Sequence, residues 1–275
     1  MRAFKVKEDG KLSKIILKEY PDVKYSSILK LLRKKYIKVN GNRVKTDVNI
    51  TKNDVVELYL NDSDLKKIEI IKVYEDDNIL IVDKNKKITS EQLFDELKKS
   101  YGENIFFVHR LDTNTTGVIS FAKNERAYES LLCCFKNRKV KKVYLAEVYG
   151  IVEKENSFEV AYLKKDKDKS LVTISKDKKD GYAKIETEYK VLEKKENSTL
   201  LEVILHSGKT HQIRAHLAFL GHFVLGDGKY GKEKINRELG LNSQKLVAKS
   251  LEFDFDQKNE LFYLNNRKFV SHFTL

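Results

Sequence analysis

Between Leu60 and Ile68 the chain runs Asn61-Asp62-Ser63-Asp64-Leu65-Lys66-Lys67, a polar stretch without apolar periodicity. Such a stretch offers a core nothing to bury and reads as a linker, 61–67. It divides the chain into a small first part, 1–60, and a large second part, 68–275. That division suits 275 residues, since domains usually hold about 150. Two cores are therefore expected.

The parts differ in charge. Residues 1–60 hold 15 Lys/Arg against seven Asp/Glu, so eight of the thirteen net positive charges lie in about a fifth of the chain. A surplus placed this way favours polyanionic partners, nucleic acid ahead of an acidic membrane surface. Leu12, Ile15, Ile16 and then Ile28, Leu31, Leu32 recur at helical spacing, with Ser26-Ser27 placed to cap the second helix. Tyr36–Val44 reads as strand, Asn40-Gly41 turn and strand, and Val55–Leu60 as a further strand. This is a small α+β unit whose second helix and exit carry Lys30, Arg33, Lys34, Lys35 and Lys38.

No stretch approaches the roughly 18 apolar residues of a membrane span, and Met1–Lys7 lacks the apolar run of a signal peptide. Cys133 and Cys134 are adjacent, which suits neither ordinary disulfide geometry nor a Cys-x-x-Cys metal knuckle. A reduced, cytoplasmic setting without membrane contact is expected.

From Ile68 the pattern predicts strands over 70–75 and 79–83, a helix over 89–100, strands over 105–109 and 117–122, a helix over 124–137 and a strand over 142–149. Residues 153–184 are dense in Lys and Asp with a weak hydrophobic pattern, and read as an exposed excursion. Strands over 185–193 and 200–206, a helix over 210–220 and short strands complete the chain. The order is mixed rather than alternating, so the class is α+β.

Three blocks carry candidate chemistry. In His109-Arg110-Leu111-Asp112-Thr113-Asn114-Thr115-Thr116-Gly117, a carboxylate stands beside a guanidinium at a sheet edge. The same run also reads as a turn in which Asp112 and Thr113 satisfy backbone donors and Gly117 supplies an unusual backbone angle. Four of the six histidines fall between His206 and His222, which raises the question of a metal. His211 and His216 would point about 140° apart on a helix, unlike a zinc-binding i, i+4 pair, so no metal is expected. That run is either a helix start capped by Thr210 or a mount for Arg214 as the fixed partner of a carboxylate. Lys142, Tyr144 and Ala146 share one strand face, where Tyr144 is either a half-buried sheet residue or a stacking platform for a base. Gly226–Glu233 nearly matches a phosphate-binding loop, but Glu233 stands where a Ser or Thr would hold magnesium, so nucleotide hydrolysis is excluded.

Taken in order, these blocks resemble RluA-type pseudouridine synthases. The likeness runs from Val73-Tyr74-Glu75-Asp76-Asp77-Asn78-Ile79 to Lys84, through His109-Arg110-Leu111-Asp112 with Thr116-Gly117, then Phe121-Ala122-Lys123-Asn124 and Lys142-x-Tyr144-x-Ala146. It ends with Gly208-Lys209-Thr210-His211-Gln212-Ile213-Arg214-x-His216 and Gly221-His222 through Gly226-Asp227. Lys38-Val39-Asn40-Gly41 is similar to an S4 RNA-binding domain. The resemblance implies an S4-like α+β domain over 1–60 and a mixed, mostly antiparallel-sheet catalytic domain over 68–275. It implies a monomeric isomerase that needs no cofactor and acts on ribosomal RNA, most of all that of the large subunit, with transfer RNA as the alternative.

By the same resemblance Asp112 is the catalytic carboxylate, Arg214 holds it ionised, Tyr144 stacks on the flipped base and Arg110 fills the space it leaves. His109, Lys142, Lys209, His211 and Gln212 are substrate-binding. There are two departures. Asn85-Lys86-Lys87 follows Lys84 where the family has Pro-x-Gly, and Lys209 replaces an Arg, which keeps charge but loses the planar fork. A non-enzymatic RNA-binding or ribosome-assembly factor on the same scaffold has no need to retain Asp112, Tyr144 and Arg214 together. A glycoside hydrolase needs two carboxylates about one bond, and only one stands in a site block.

Overall fold

The computed structural model describes residues 1–60, 68–166 and 171–275; the linker assigned to 61–67 lies outside the described residues. Two compact units are present, Met1–Glu69 and Ile70–Leu275.

In the first unit the elements are β1 (Arg2–Lys5), β2 (Gly10–Lys11), α1 (Leu12–Glu19), α2 (Tyr25–Arg33), β3 (Ile37–Val39), β4 (Asn42–Arg43), β5 (Asn49–Ile50) and β6 (Val55–Leu58). The apolar positions of both helices are buried and cluster with Val56 and Leu58 of β6. The sheet runs β1-β6-β3-β4, all antiparallel. Asn40 and Gly41 both take positive φ, 49° and 77°, as a two-residue hairpin turn demands. Ser26-Ser27 does not cap α2. Lys24 stands at the cap without a side-chain bond, and Ser27 is buried inside the first turn. Val23, wholly buried just ahead, draws the helix start toward the core against local capping preference.

The second unit comprises β7 (Ile71–Glu75), β8 (Ile79–Lys84), α3 (Ser90–Tyr101), β9 (Phe106–Phe107), β10 (Thr116–Ala122), α4 (Glu125–Lys136), β11 (Val140–Tyr149), β12 (Asn156–Asp166), β13 (Leu171–Ser175), β14 (Ala183–Lys194), β15 (Ser198–Leu205), α5 (Gln212–Phe219), α6 (Glu233–Glu238), β16 (Leu246–Phe253) and β17 (Lys268–Val270). One sheet runs β13-β12-β14-β15-β11-β16-β10-β8-β7, with β17 on β16 and β9 on β10. Among the described residues only β10–β16 is parallel. The class is α+β with a mixed, mostly antiparallel sheet.

The segment read as an excursion is instead the β12–β13 edge of this sheet. Ala161, Leu163, Val172 and Ile185 are buried with Ala215 of α5. A strand with one wet face needs only every second residue apolar; here the lysines gather at and beyond the strand ends (Lys164, Lys165, Lys176, Lys178, Lys179) while the wet face of β12 carries Phe158 and Val160, so no apolar–polar alternation showed.

Two close contacts seat the loop before β10. Gly117 has φ 109°, and a Cβ there would lie 2.1 Å from the Ala248 carbonyl oxygen, so β10 meets β16 only through glycine. Lys84, wholly buried at the end of β8, donates from Nζ to the carbonyls of Asn85, Ile88 and Thr113, each at 3.0 Å. Burial pulls its pKa down to about 8, with Asp112 and Glu91 acting against it, so it stays cationic at neutral pH. The ammonium thereby ties the loop over 85–88 to the loop that bears Asp112. Lys87 has φ 66° where the resemblance leads one to expect glycine, so the left-handed turn is made at the cost of a Cβ. Lys87→Gly should therefore raise stability by up to about 1 kcal/mol, or roughly 2–4 °C in a thermal melt. A lower melting temperature would mean that the lysine side chain carries a contact worth more than the strain.

Candidate active site

A cavity of about 280 Å³ is lined by Asp112, Tyr144, Arg214, His109, Arg110, Lys142, Lys209, His211 and Gln212. All nine side chains singled out in this unit thus meet at one place. They arrive on the β9–β10 loop, on β11, and on the turn into α5.

Asp112 follows Leu111, whose N–H and carbonyl both bond the buried Ser90 hydroxyl of α3, at 2.9 and 3.1 Å. The turn itself is closed by the Thr115 N–H donating to the Asp112 carbonyl at 3.0 Å. Backbone therefore satisfies backbone, and the carboxylate is left for other work. Arg214, in the first turn of α5 and 6% exposed, donates from Nη1 to Asp112 Oδ2 at 2.8 Å. Its Nε and Nη2 grip Asp227 at 2.6 and 2.9 Å. Asp227 is 1% exposed and also accepts from the amides of Lys229 and Tyr230, at 2.8 and 3.2 Å. Burial alone would lower the Arg214 pKa, but the two carboxylates hold it above its usual value. Burial likewise opposes the ionised Asp227, and the guanidinium with the two amides outweighs it and lowers its pKa.

The remaining lining groups divide by how they are engaged. His109 accepts the Ser120 N–H at Nε2 (3.0 Å) and stacks on Phe135 at 4.4 Å; burial, then the Lys142 charge, pushes it down to about 3, so the ring is neutral. Gln212 spends its whole amide as a brace, accepting from Ser207 Oγ and the Lys209 N–H and donating to the Glu186 carbonyl and Thr187 Oγ1. Burial, and then the Asp112 charge, raises the Tyr144 pKa, which keeps the phenol protonated. Burial and the Arg138 charge lower that of Lys142. The Arg110 side chain is 70% exposed and rests 3.5 Å from Glu91. His211 sits in the left-handed region at φ 55° as the residue before α5, so Thr210 is not the cap. Its strained backbone turns the imidazole toward Asp112, with Nε2 4.0 Å from Oδ1.

His216 bonds Thr187 and His222 bonds the Tyr149 carbonyl, so the histidines serve separately. Among the described residues no three His, Cys, Asp or Glu side chains are grouped to hold a metal. In the first unit Lys30, Arg33, Lys34 and Lys35 are exposed about the end of α2. Lys38 is half-buried, 3.7 Å from Glu57.

Asp227 was read only as the end of a family block and Tyr230 only within a rejected phosphate loop, so neither was singled out as a site residue. The available signal was an acidic residue between glycines. A Cβ on Gly226 would fall 2.0 Å from the Ser243 carbonyl, so the loop passes against backbone there. Tyr230 lies under Arg214, its ring centroid 5.3 Å from Cζ.

A family model described as RNA pseudouridylate synthase matches residues 45–219. An uncharacterized RNA pseudouridine synthase of Aquifex aeolicus is 35% identical over 254 residues, covering 83% of this chain and 79% of that one. The ribosomal large subunit pseudouridine synthase C of Vibrio parahaemolyticus is 27% identical over 282 residues, with 93% and 88% covered. Among solved structures, human RNA pseudouridylate synthase domain containing 1 superposes with a TM-score of 0.61 at 26% identity, over 69% of this chain and 80% of that one. The chain belongs to the RNA pseudouridylate synthase family, in its RluA-type branch, and is an RNA pseudouridine synthase, an isomerase.

The ion-pair geometry gives a stability prediction. Asp227→Asn keeps shape but strips the buried charge that offsets Arg214, and should cost about 3 kcal/mol in denaturant unfolding. Asp112→Asn, at the rim, should cost less than about 1 kcal/mol. Equal stabilities for the two variants would refute the anchoring role of Asp227.

Proposed function

We propose that this synthase converts specific uridines of large-subunit ribosomal RNA to pseudouridine, without a cofactor, through Asp112 acting on a base flipped into the cavity. The observation that carries the reading is the Asp112 carboxylate held 2.8 Å from a buried guanidinium inside the cavity. The reaction breaks the N1–C1′ bond, turns the uracil and joins C5 to C1′. The C5 proton leaves and N1 gains one. There is no redox change and no imported group, so an ionised carboxylate serving as nucleophile or base is sufficient chemistry. The ribosomal target is supported by the name of the Vibrio relative.

Arg214 keeps Asp112 ionised by charge and a direct hydrogen bond. Tyr144, a neutral phenol in the wall, stacks on the uracil. Flipping costs a few kcal/mol. Arg110, exposed and held among the described residues only by a surface contact with Glu91, is free to fill the vacated space. Gln212, its amide fully bonded, and His109, held at Nε2 and stacked on Phe135, shape the wall, while Lys142 and Lys209 meet the backbone of the flipped nucleotide. The S4-like first domain, 1–60, holds RNA phosphates through Lys30, Arg33, Lys34, Lys35 and Lys38. The protein works as a monomer in the cytoplasm, where ribosomal RNA is found.

Asp112→Asn should abolish release of the C5 hydrogen from labelled uridine RNA while RNA affinity stays within a few-fold. Loss of a nucleophile or base costs at least on the order of 10² in rate, so residual activity above about 1% would exclude the assigned role. The RNA-holding role has its own test. Lys30→Gln, Arg33→Gln and Lys34→Gln together should flatten the slope of log affinity against log salt by about 2 to 3, at about 0.7 to 0.9 per phosphate contact, with turnover on saturating RNA preserved. An unchanged slope would remove these residues from the RNA interface.

A further inference from the structure

The Tyr230 hydroxyl stands between two partners. It accepts the Val172 N–H at 2.9 Å, and it lies 2.9 Å from His211 Nδ1. A phenol has one proton to give. With the Val172 amide already donating to its oxygen, and His211 Nδ1 the one acceptor in hydrogen-bond reach of it among the described residues, that proton goes to Nδ1. An imidazole that accepts at Nδ1 and is neutral carries its own proton on Nε2. Burial lowers the His211 pKa; Asp112 acts against this, while Arg214 and Lys229 add to it, so the ring is neutral at pH 7. The Nε2–H looks into the cavity toward Asp112 Oδ1, but 4.0 Å is too far for a hydrogen bond. Among the described residues the donor is unspent.

We infer that His211 is locked by Tyr230 as an Nε2–H donor, and that this donor binds a ring carbonyl of the flipped uracil and sets the preference for uracil over cytosine. The inference rests on the cavity being the site of pseudouridine formation. The reaction gives it a particular logic. Exchanging N1 for C5 turns the ring about the N3–C6 axis, which also exchanges the C2 and C4 carbonyls. Uracil therefore offers an acceptor on the same side before and after the turn. Cytosine carries an amino group at C4, so in one of the two orientations it meets the fixed donor with a donor. An imidazole free to shift its proton could accept from that amino group and would lose the distinction. His211 thus touches substrate, and Tyr230 with the Val172 amide are positioning groups.

The test uses an RNA stem-loop bearing the target uridine, located by mapping pseudouridines in ribosomal RNA with and without the gene. The target is supplied as uridine, 2-thiouridine or 4-thiouridine, because a thiocarbonyl is the weaker acceptor. In wild type each thio substitution should slow the single-turnover rate by about tenfold. His211→Asn, which tolerates the left-handed backbone but is too short to reach, should be slower on uridine and within about threefold on all three RNAs. His211→Gln carries an amide N–H to about the place of Nε2 and should restore the thio effect, even when combined with Tyr230→Phe. Each comparison is a ratio within one protein, so a loss of folded fraction cancels. Wild type indifferent to both thio bases, or His211→Asn slowed by the same factors as wild type, would overturn the inference. No pseudouridine formed by wild type on any ribosomal RNA would instead overturn the reading of the site on which it rests.

Discussion

The buried pairing of Arg214 with Asp227 is the constraint on which the rest of the cavity depends. A guanidinium on α5 with 6% exposure can stay charged there only if its donors are met. Asp227 meets two of them with both oxygens, in the planar fork that a lysine could not supply. That grip fixes the plane of the guanidinium and leaves Nη1 aimed at Asp112. Asp227 is itself held by backbone amides and by a glycine-dependent approach to Ser243. The geometry at Asp112 is thus inherited from a loop more than a hundred residues further along the chain.

The sheet brings these pieces together at small cost in flexible parts. Asp112 lies on a loop pinned by Ser90, by the Lys84 ammonium and by the close passage of Gly117 over β16. Tyr144 comes from β11, the neighbour of β16. Burial keeps His109 unprotonated and Tyr144 protonated, so neither adds a charge beside the Asp112 carboxylate and its cation. A charge so placed is preorganised, because little around it has to move as the reaction proceeds. Neither departure from the family pattern is a partner in the Asp112–Arg214–Asp227 ion pairs. Lys87 takes up the backbone angle that a glycine would take, and Lys209 presents charge at the cavity without a fork.

What the sequence determined by itself was local and ordered. The apolar spacing placed most helices and strands of the larger unit, though not β12, β13 or α6, to within a few residues, because periodicity reports which face of an element is buried. The succession of blocks from Val73 to Asp227 identified the family, because each block keeps residue types that backbone or chemistry demands. Tertiary structure alone decided which groups meet. Nothing near Arg214 in sequence says that Asp227 holds it, nothing near Asp112 says whether its turn consumes the carboxylate, and nothing in Val172 says that its amide sets the tautomer of His211. The β12–β13 edge was misread as an excursion, and Ser26-Ser27 and Thr210 were misread as caps, for the same reason. A partner across the fold, whether a core that takes every second residue or a buried Val23 that shifts a helix start, outweighs the local preference, and that partner exists only once the chain has folded.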